Sequence, residues 1–173
     1  MYNYGMYLGR FQPFHVGHRA IMKKMMEECH VVIICLGSSQ EERTARNPLT
    51  NEERISMIIG AMPELIGKAV FVKIPDREDK GNDSSWGEYV FKLIKDWCGY
   101  TPEVVYEGEE EERVSWWESL GVEVKKISHE DIPISATLIR KLWKDGEDKV
   151  ASLMVGGIYN YSIFDQAMKE IYN

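Results

Sequence analysis

Cysteine is scarce and unpatterned in this chain. Cys29, Cys35 and Cys98 are odd in number and widely spaced, which suggests neither a disulfide framework nor a C-x-x-C metal site. Reduced thiols in or near a core are the expectation. No apolar run approaches the length of a membrane span. The amino terminus lacks a basic region followed by an apolar core, so no secretory leader is expected and cytoplasmic residence follows. Positive charge is also in deficit: 21 Lys and Arg stand against 28 Asp and Glu, a formal charge of -7. That balance argues against a nucleic-acid partner, which calls for a basic surface. It leaves room for a small anionic substrate, because a few local arginines outweigh a global field.

What is present is ordinary for a globular domain: 173 residues, 44% of them apolar, long enough to bury a core. Short apolar runs alternate with helical patterns. Strands are expected at Met6–Gly9, Val31–Leu36, Ala69–Ile74, Glu103–Tyr106 and Val122–Ile127. The run VVIICL at 31–36 fits a central parallel strand covered on both faces. Helices are expected at Gly17–Glu28, from Thr50 or Asn51 to Met62, from Ser84 or Ser85 through Trp97, at Glu110–Ser119, Ser135–Lys144, 147–154 and Tyr161–Ile171. Thr50 and Glu53 have capping-box spacing, and Ser135 can cap the helix that follows it. The alternation predicts an α/β fold with a parallel sheet sandwiched by helices. The acidic run EGEEEER at 107–113 reads as a solvated helix start. Trp97, Trp116, Trp117 and Trp143 read as packing residues.

The segment GRFQPFHVGH, Gly9 to His18, lies between the first strand and the first helix. In an open parallel sheet that position is beyond the carboxyl ends of the strands, where ligands bind. Gly9 is expected to let the chain pass close to a ligand. Gly17 would open the helix without a side chain over the anion, and the helix start offers unpaired N–H groups. His15 and His18 can donate to phosphate oxygens, each ring neutral or charged. Their spacing also permits metal ligation, but no acidic or cysteine ligand lies nearby, so no protein-held metal is expected. A second segment, ISATLIR at 134–140, places Ser135, Thr137 and Arg140 at another helix start. Arginine suits a planar, many-oxygened anion. Arg54 is either functional or a partner of its acidic helix neighbours.

GRFQPFHVGH resembles the H-x-G-H signature, and ISATLIR the second signature, of the nucleotidyltransferase α/β-phosphodiesterase superfamily. The wording FQPFHVGH is similar to that of the archaeal-type nicotinamide-mononucleotide adenylyltransferases. GSSQ at 37–40, RNPLT at 46–50, the ER pair at 53–54, PD at 75–76 and Trp86 agree in order. The resemblance covers residues 5–145 of what reads as one nucleotidyltransferase domain over 1–173, with a helical C-terminal segment at 146–173. It implies a Rossmann-like sheet. It also implies direct adenylyl transfer from ATP to nicotinamide mononucleotide, with Mg2+ carried on the ATP.

By the same resemblance Arg10, His15, His18 and Arg140 are the catalytic set and contact the triphosphate. Gly9, Phe11, Gly37, Arg46, Gly108, Ser135 and Thr137 complete the ATP site. Phe11, Ser38, Asp76 and Trp86 border the mononucleotide, with Trp86 stacking on the nicotinamide ring. Related enzymes are commonly homo-oligomers. Two departures stand near the second substrate. Glu109 replaces the asparagine that usually follows Gly108, and the 76–86 loop, DREDKGNDSSW, has unfamiliar wording. Nicotinate mononucleotide, phosphopantetheine or a sugar phosphate remain alternative acceptors, and a non-reacting nucleotide-binding domain is the alternative class.

Overall fold

Five parallel strands form one sheet in the computed structural model, which describes residues 1–79, 84–109, 113–128 and 134–173. They are β1 (Tyr2–Gly9), β2 (Cys29–Gly37), β3 (Ala69–Ile74), β4 (Val104–Gly108) and β5 (Glu123–Ile127), in the spatial order β3-β2-β1-β4-β5. The helices are α1 (Val16–Glu28), α2 (Asn51–Ala61), α3 (Ser84–Cys98), α4 (Val114–Glu118), α5 (Ala136–Lys144), α6 (Val150–Leu153) and α7 (Gly157–Tyr172). The expected α/β sandwich is therefore observed. Among the described residues no helix is long and apolar enough to cross a membrane.

The pleat explains the continuous apolar runs. Side chains alternate between the faces of a strand, and here both faces are covered. Tyr7 of β1 and Val32, Ile34 and Leu36 of β2 join Ile21, Met22 and Met25 of α1 and Ile58 of α2 in one core. Met6, Leu8, Ile33 and Cys35 point the other way, to Val90 and Ile94 of α3 and Trp117 of α4. A third cluster joins Met57 of α2 to Ile139 of α5 and to Phe164, Ala167 and Met168 of α7, fastening the C-terminal segment to the sandwich. Cys29 and Cys35 are buried, Cys98 is partly buried, and all three are free thiols, as expected.

Element boundaries moved for local reasons. β1 starts at Tyr2, earlier than its apolar run, because its ladder with β2 begins there, Tyr2 opposite Cys29; Asn3 also donates to Glu103 through its backbone and side chain, each at 2.9 Å. α7 starts a turn before the expected Tyr161, at Gly157, after left-handed Gly156. α4 is shorter than the expected 110–119 helix, and residues 110–112 of that expectation lie outside the described residues. Residues 80–83 of the 76–86 loop do so as well. The solvated reading of 107–113 is corrected at its first residue. Glu107 belongs to β4, is 2% exposed, and accepts from Trp117 Nε1 at 2.6 Å. Trp97 corrects another expectation: it lies on the outer side of α3, 71% exposed.

α3 and α4 meet at Gly87. A Cβ built there would stand 1.8 Å from the Trp116 carbonyl oxygen. That overlap is with backbone and cannot be relieved by a rotamer change. Gly87→Ala is expected to destabilise the fold by about 3 kcal/mol or more, the upper range for overpacking. Chemical denaturation checks this, and an unchanged midpoint would show that the two helices are not held at this separation.

The strand order turns outward in both directions from β1. β2 and β3 lie on one side, β4 and β5 on the other. The switch point of such a sheet is the crevice between β1 and β4 at their carboxyl ends, and Gly9 and Gly108 end those two strands.

Candidate active site

A cleft of about 200 Å3 opens at that switch point. Gly9, Arg10, Phe11, His15, Gly17 and His18 line it from the first motif. Ile134, Ser135, Thr137 and Arg140 line it from the second, and Gly108 closes its β4 side. Two segments more than a hundred residues apart are thus brought to one cavity.

The spacing of the histidines is that of a capping box, with imidazoles in place of the usual hydroxyl and carboxylate. His15 is the N-cap of α1; its Nδ1 accepts from Gly17 N–H at 3.2 Å. His18, at the third helical position, accepts from His15 N–H through Nδ1 at 3.3 Å. A ring nitrogen that accepts carries no proton, so each imidazole in these bonds is the neutral tautomer protonated at Nε2. The sequence left that choice open. The rings stack with centroids 3.7 Å apart and planes at 22°. Phe11 supports His18 edge-on at 4.8 Å. The helix start therefore sets two stacked imidazoles, each with its ring proton at Nε2 in these bonds, beside the positive end of its dipole.

Phe11 lines the cleft, but its ring is 1% exposed and belongs to the core. Its backbone is in the left-handed region, with φ of 53°. Gly9 serves this ring first. A Cβ at Gly9 would meet Phe11 Cζ at 2.8 Å, so the close approach expected of a ligand is made by the phenyl group.

Arg140 ties the two motifs together. It is 8% exposed, and its guanidinium donates to the Gln12 carbonyl at 2.7 Å and to Thr137 Oγ1 at 3.1 Å. Ser135 caps α5, accepting from Leu138 N–H at 3.1 Å. Gln12, unremarked in the sequence, is fully buried. Its amide pairs both ways with the Leu49 backbone, at 3.0 and 2.8 Å. That holds the motif loop against RNPLT. Met154 pairs in a β-bridge with His15, so the C-terminal segment also braces the turn.

Positive charge concentrates here despite the acidic chain. Burial, and then the charges of Arg46, Arg140 and Arg113, pull the Arg10 guanidinium down to about 10, with Asp76 acting in the opposite sense. Arg10 Nη1 is buried and has no hydrogen-bond partner among the described residues. Burial and Arg46 likewise lower Arg140. An unsatisfied buried guanidinium N–H beside like charges is costly, and an oxyanion would satisfy both deficits at once.

Arg54 does not form the ion pair with its acidic helix neighbours that the sequence offered as one reading. It is fully buried and forms no salt bridge among the described residues. Nη1 donates to the carbonyls of Arg10 and Gly37, both at 2.8 Å, and Nη2 to Asn51 Oδ1 at 2.5 Å. It pins the ends of β1 and β2 from below. Arg113, hidden in the acidic run, also lines the cleft. The sequence signal that would have found it is position: it is the first cation after β4.

The remaining predicted residues do not line this cleft. Gly37 ends β2, and left-handed Ser38, with φ of 47°, follows it. Ser38 Oγ donates to Asp76 at 3.2 Å, and Gln40 holds the same carboxylate at 2.9 Å. Arg46 is exposed. Trp86 is half-buried, with Tyr89 at 5.1 Å and Trp116 edge-on at 5.8 Å. Its Nε1 is buried without a hydrogen-bond partner among the described residues. Tyr89, the ring beside Trp86, donates to the Pro75 carbonyl at 2.9 Å, next to Asp76.

The cytidylyltransferase-like family model matches residues 6–148. The chain belongs to this family. A nicotinamide-nucleotide adenylyltransferase of Methanothrix thermoacetophila is 31% identical over 146 residues, 83% of this chain and 80% of that one. A nicotinamide/nicotinic acid mononucleotide adenylyltransferase of Acinetobacter baylyi is 30% identical over 174 residues, 99% of this chain and 90% of the other. Matches to several other archaeal relatives span about half of their length. Among solved structures, a bifunctional NMN adenylyltransferase/ADP ribose pyrophosphatase from Francisella tularensis superposes with a TM-score of 0.78 at 19% identity. That match covers 99% of this chain and 53% of the other, so the fold is shared and this chain spans about half that protein. The resemblance carried by GRFQPFHVGH and ISATLIR is borne out by the family match and these relatives.

Proposed function

We propose that the protein transfers the adenylyl group of ATP to nicotinamide mononucleotide, releasing pyrophosphate and forming NAD. The observation that carries this reading is the orphaned Arg10 guanidinium in a cleft shared by both motifs. The names of the two long-matching relatives supply the acceptor. The 5′-phosphate of the mononucleotide attacks the α-phosphorus in line. It is ionised near neutral pH and needs no strong base. Rate comes from alignment and from stabilising charge on the phosphates.

In this reading His15 and His18 present Nε2–H to the phosphates, His18 to the transferring one. Arg10, Arg46 and Arg140 hold the triphosphate, and Arg140 stays with the leaving pyrophosphate. Ser135 and Thr137 order that side, while Gly108 passes close to the adenine or ribose. Ser38, Asp76 and Trp86 take the mononucleotide, Trp86 by stacking. The donors lining the cleft are imidazole and guanidinium, which fits a Mg2+ that enters on ATP rather than one caged by protein carboxylates. When bound, the ion neutralises phosphate charge. The reading also carries cytoplasmic residence, a homo-oligomer and one domain over 1–173.

An acceptor screen tests it. ATP and Mg2+ are offered with nicotinamide mononucleotide, nicotinate mononucleotide, phosphopantetheine and sugar phosphates, and pyrophosphate release and product mass are read. Dinucleotide of the mass of NAD is expected. Pyrophosphate release with another acceptor alone would overturn the acceptor, and none with any acceptor would overturn the transferase.

A further inference from the structure

Arg113 has no counterpart among the residues that the two motifs supply. It directly precedes α4 and lies half-buried beside the carboxyl end of β4. Its Nη1 donates to the Leu8 carbonyl at 3.1 Å, and its guanidinium lies over the Trp116 ring, 5.3 Å from the centroid. The backbone contact anchors the head at the end of β1, next to Gly9 and Arg10. The indole fixes its plane, a use of arginine that lysine does not share. The side chain lines the same cleft as Arg10, His18 and Arg140. The cleft therefore has guanidinium groups on three walls: the β1 end, α5, and the β4–α4 connection. Guanidinium groups converging on one cavity repel one another, and a polyanion between them reverses the sign.

We propose that Arg113 is a further substrate-contacting residue, holding phosphate oxygens of ATP from the β4 side of the cleft. This inference rests on the proposed reaction for its substrate, but its test does not need the acceptor. In direct binding by calorimetry, Arg113→Gln is expected to raise the dissociation constant for Mg2+–ATP at least tenfold. Inhibition of ATP binding by pyrophosphate should weaken to a similar degree, while adenosine binding stays within twofold. A melting temperature close to wild type shows that the fold is kept. Arg113→Lys should recover less than half of the lost binding free energy, since a point charge does not reproduce the stacked fork.

ATP and pyrophosphate constants within twofold of wild type in Arg113→Gln would overturn the proposal. So would a loss confined to turnover with nicotinate mononucleotide, which would assign the guanidinium to a pyridine carboxylate. If the wild-type protein binds ATP but forms no dinucleotide, the proposed reaction fails while the Arg113 measurement still stands. Failure of the wild type to bind ATP would overturn both.

Discussion

Replacing His18 by alanine is expected to lower kcat by about 10²–10³-fold, the usual loss when one preorganised donor to a developing anionic charge is removed. The expectation follows from the tautomer. Nδ1 of His18 is occupied by the His15 N–H, so in that bond the ring proton sits on Nε2, the nitrogen that would meet a phosphate oxygen. The same bond creates an ambiguity, because alanine also removes half of a capping box. A lost cap costs about 1 kcal/mol, which is about 2–4 °C in Tm for a chain of this size. His18→Gln separates the two effects. Glutamine at the third helical position is a standard capping-box acceptor and restores the bond to His15 N–H without an imidazole. Tm should return to within a degree or two of wild type while kcat stays at least tenfold down. If glutamine restores turnover along with Tm, His18 serves the helix and not the phosphate.

What the sequence made legible, and what it did not, divides by the range of the interaction. The continuous apolar run of β2 and the Thr50–Glu53 box are local, and the structure reproduces both. Thr50 accepts from Glu53 N–H and Glu53 accepts from Thr50 N–H. The histidine turn and the second motif were legible as two phosphate-handling helix starts, and the resemblance set them on opposite sides of one site. The β1/β4 switch point places the cleft, and Arg140 on the Gln12 carbonyl holds the second motif to it. Residues whose work is done through the backbone were opaque. Gln12 grips Leu49 and Gly9 makes room for Phe11; neither leaves a trace in composition or periodicity. Arg113 was hidden differently, by acidic neighbours that gave the whole run a solvated reading. Trp97 was misjudged because its helix carries apolar residues on more than one face, and the outer one is left 71% exposed at Trp97 among the described residues. The side expected to take the mononucleotide was the least legible part. Asp76 and Trp86 bound the 76–86 loop, whose wording departs from the family's, and Ser38 donates to Asp76.

Arg54→Ala is the second substitution with a large expected effect, and it acts on stability and turnover together. The alanine leaves the carbonyls of Arg10 and Gly37 and the Asn51 amide oxygen without their donor in a dry site. Unsatisfied buried groups cost about 1–3 kcal/mol each, so a loss of about 3–5 kcal/mol is expected, or roughly 10 °C in Tm. Turnover should suffer beyond the fraction unfolded. The Arg10 backbone and the Gly37–Ser38 turn are held to one guanidinium, and a shift of about 1 Å in a positioned group can cost 10²-fold in rate. Assays at a temperature where the variant is fully folded should therefore show kcat/KM at least tenfold down. A folded variant with wild-type kcat/KM would limit Arg54 to the fold. The site's own electrostatics favour the larger role. Burial draws this guanidinium down to about 10, opposed by Glu52, and no salt bridge among the described residues offsets that cost. A cation kept there against desolvation does more than fill space. It fixes two strand ends with hydrogen bonds that a neutral side chain could only partly replace, and it adds positive potential beneath a cleft already built to hold an anion.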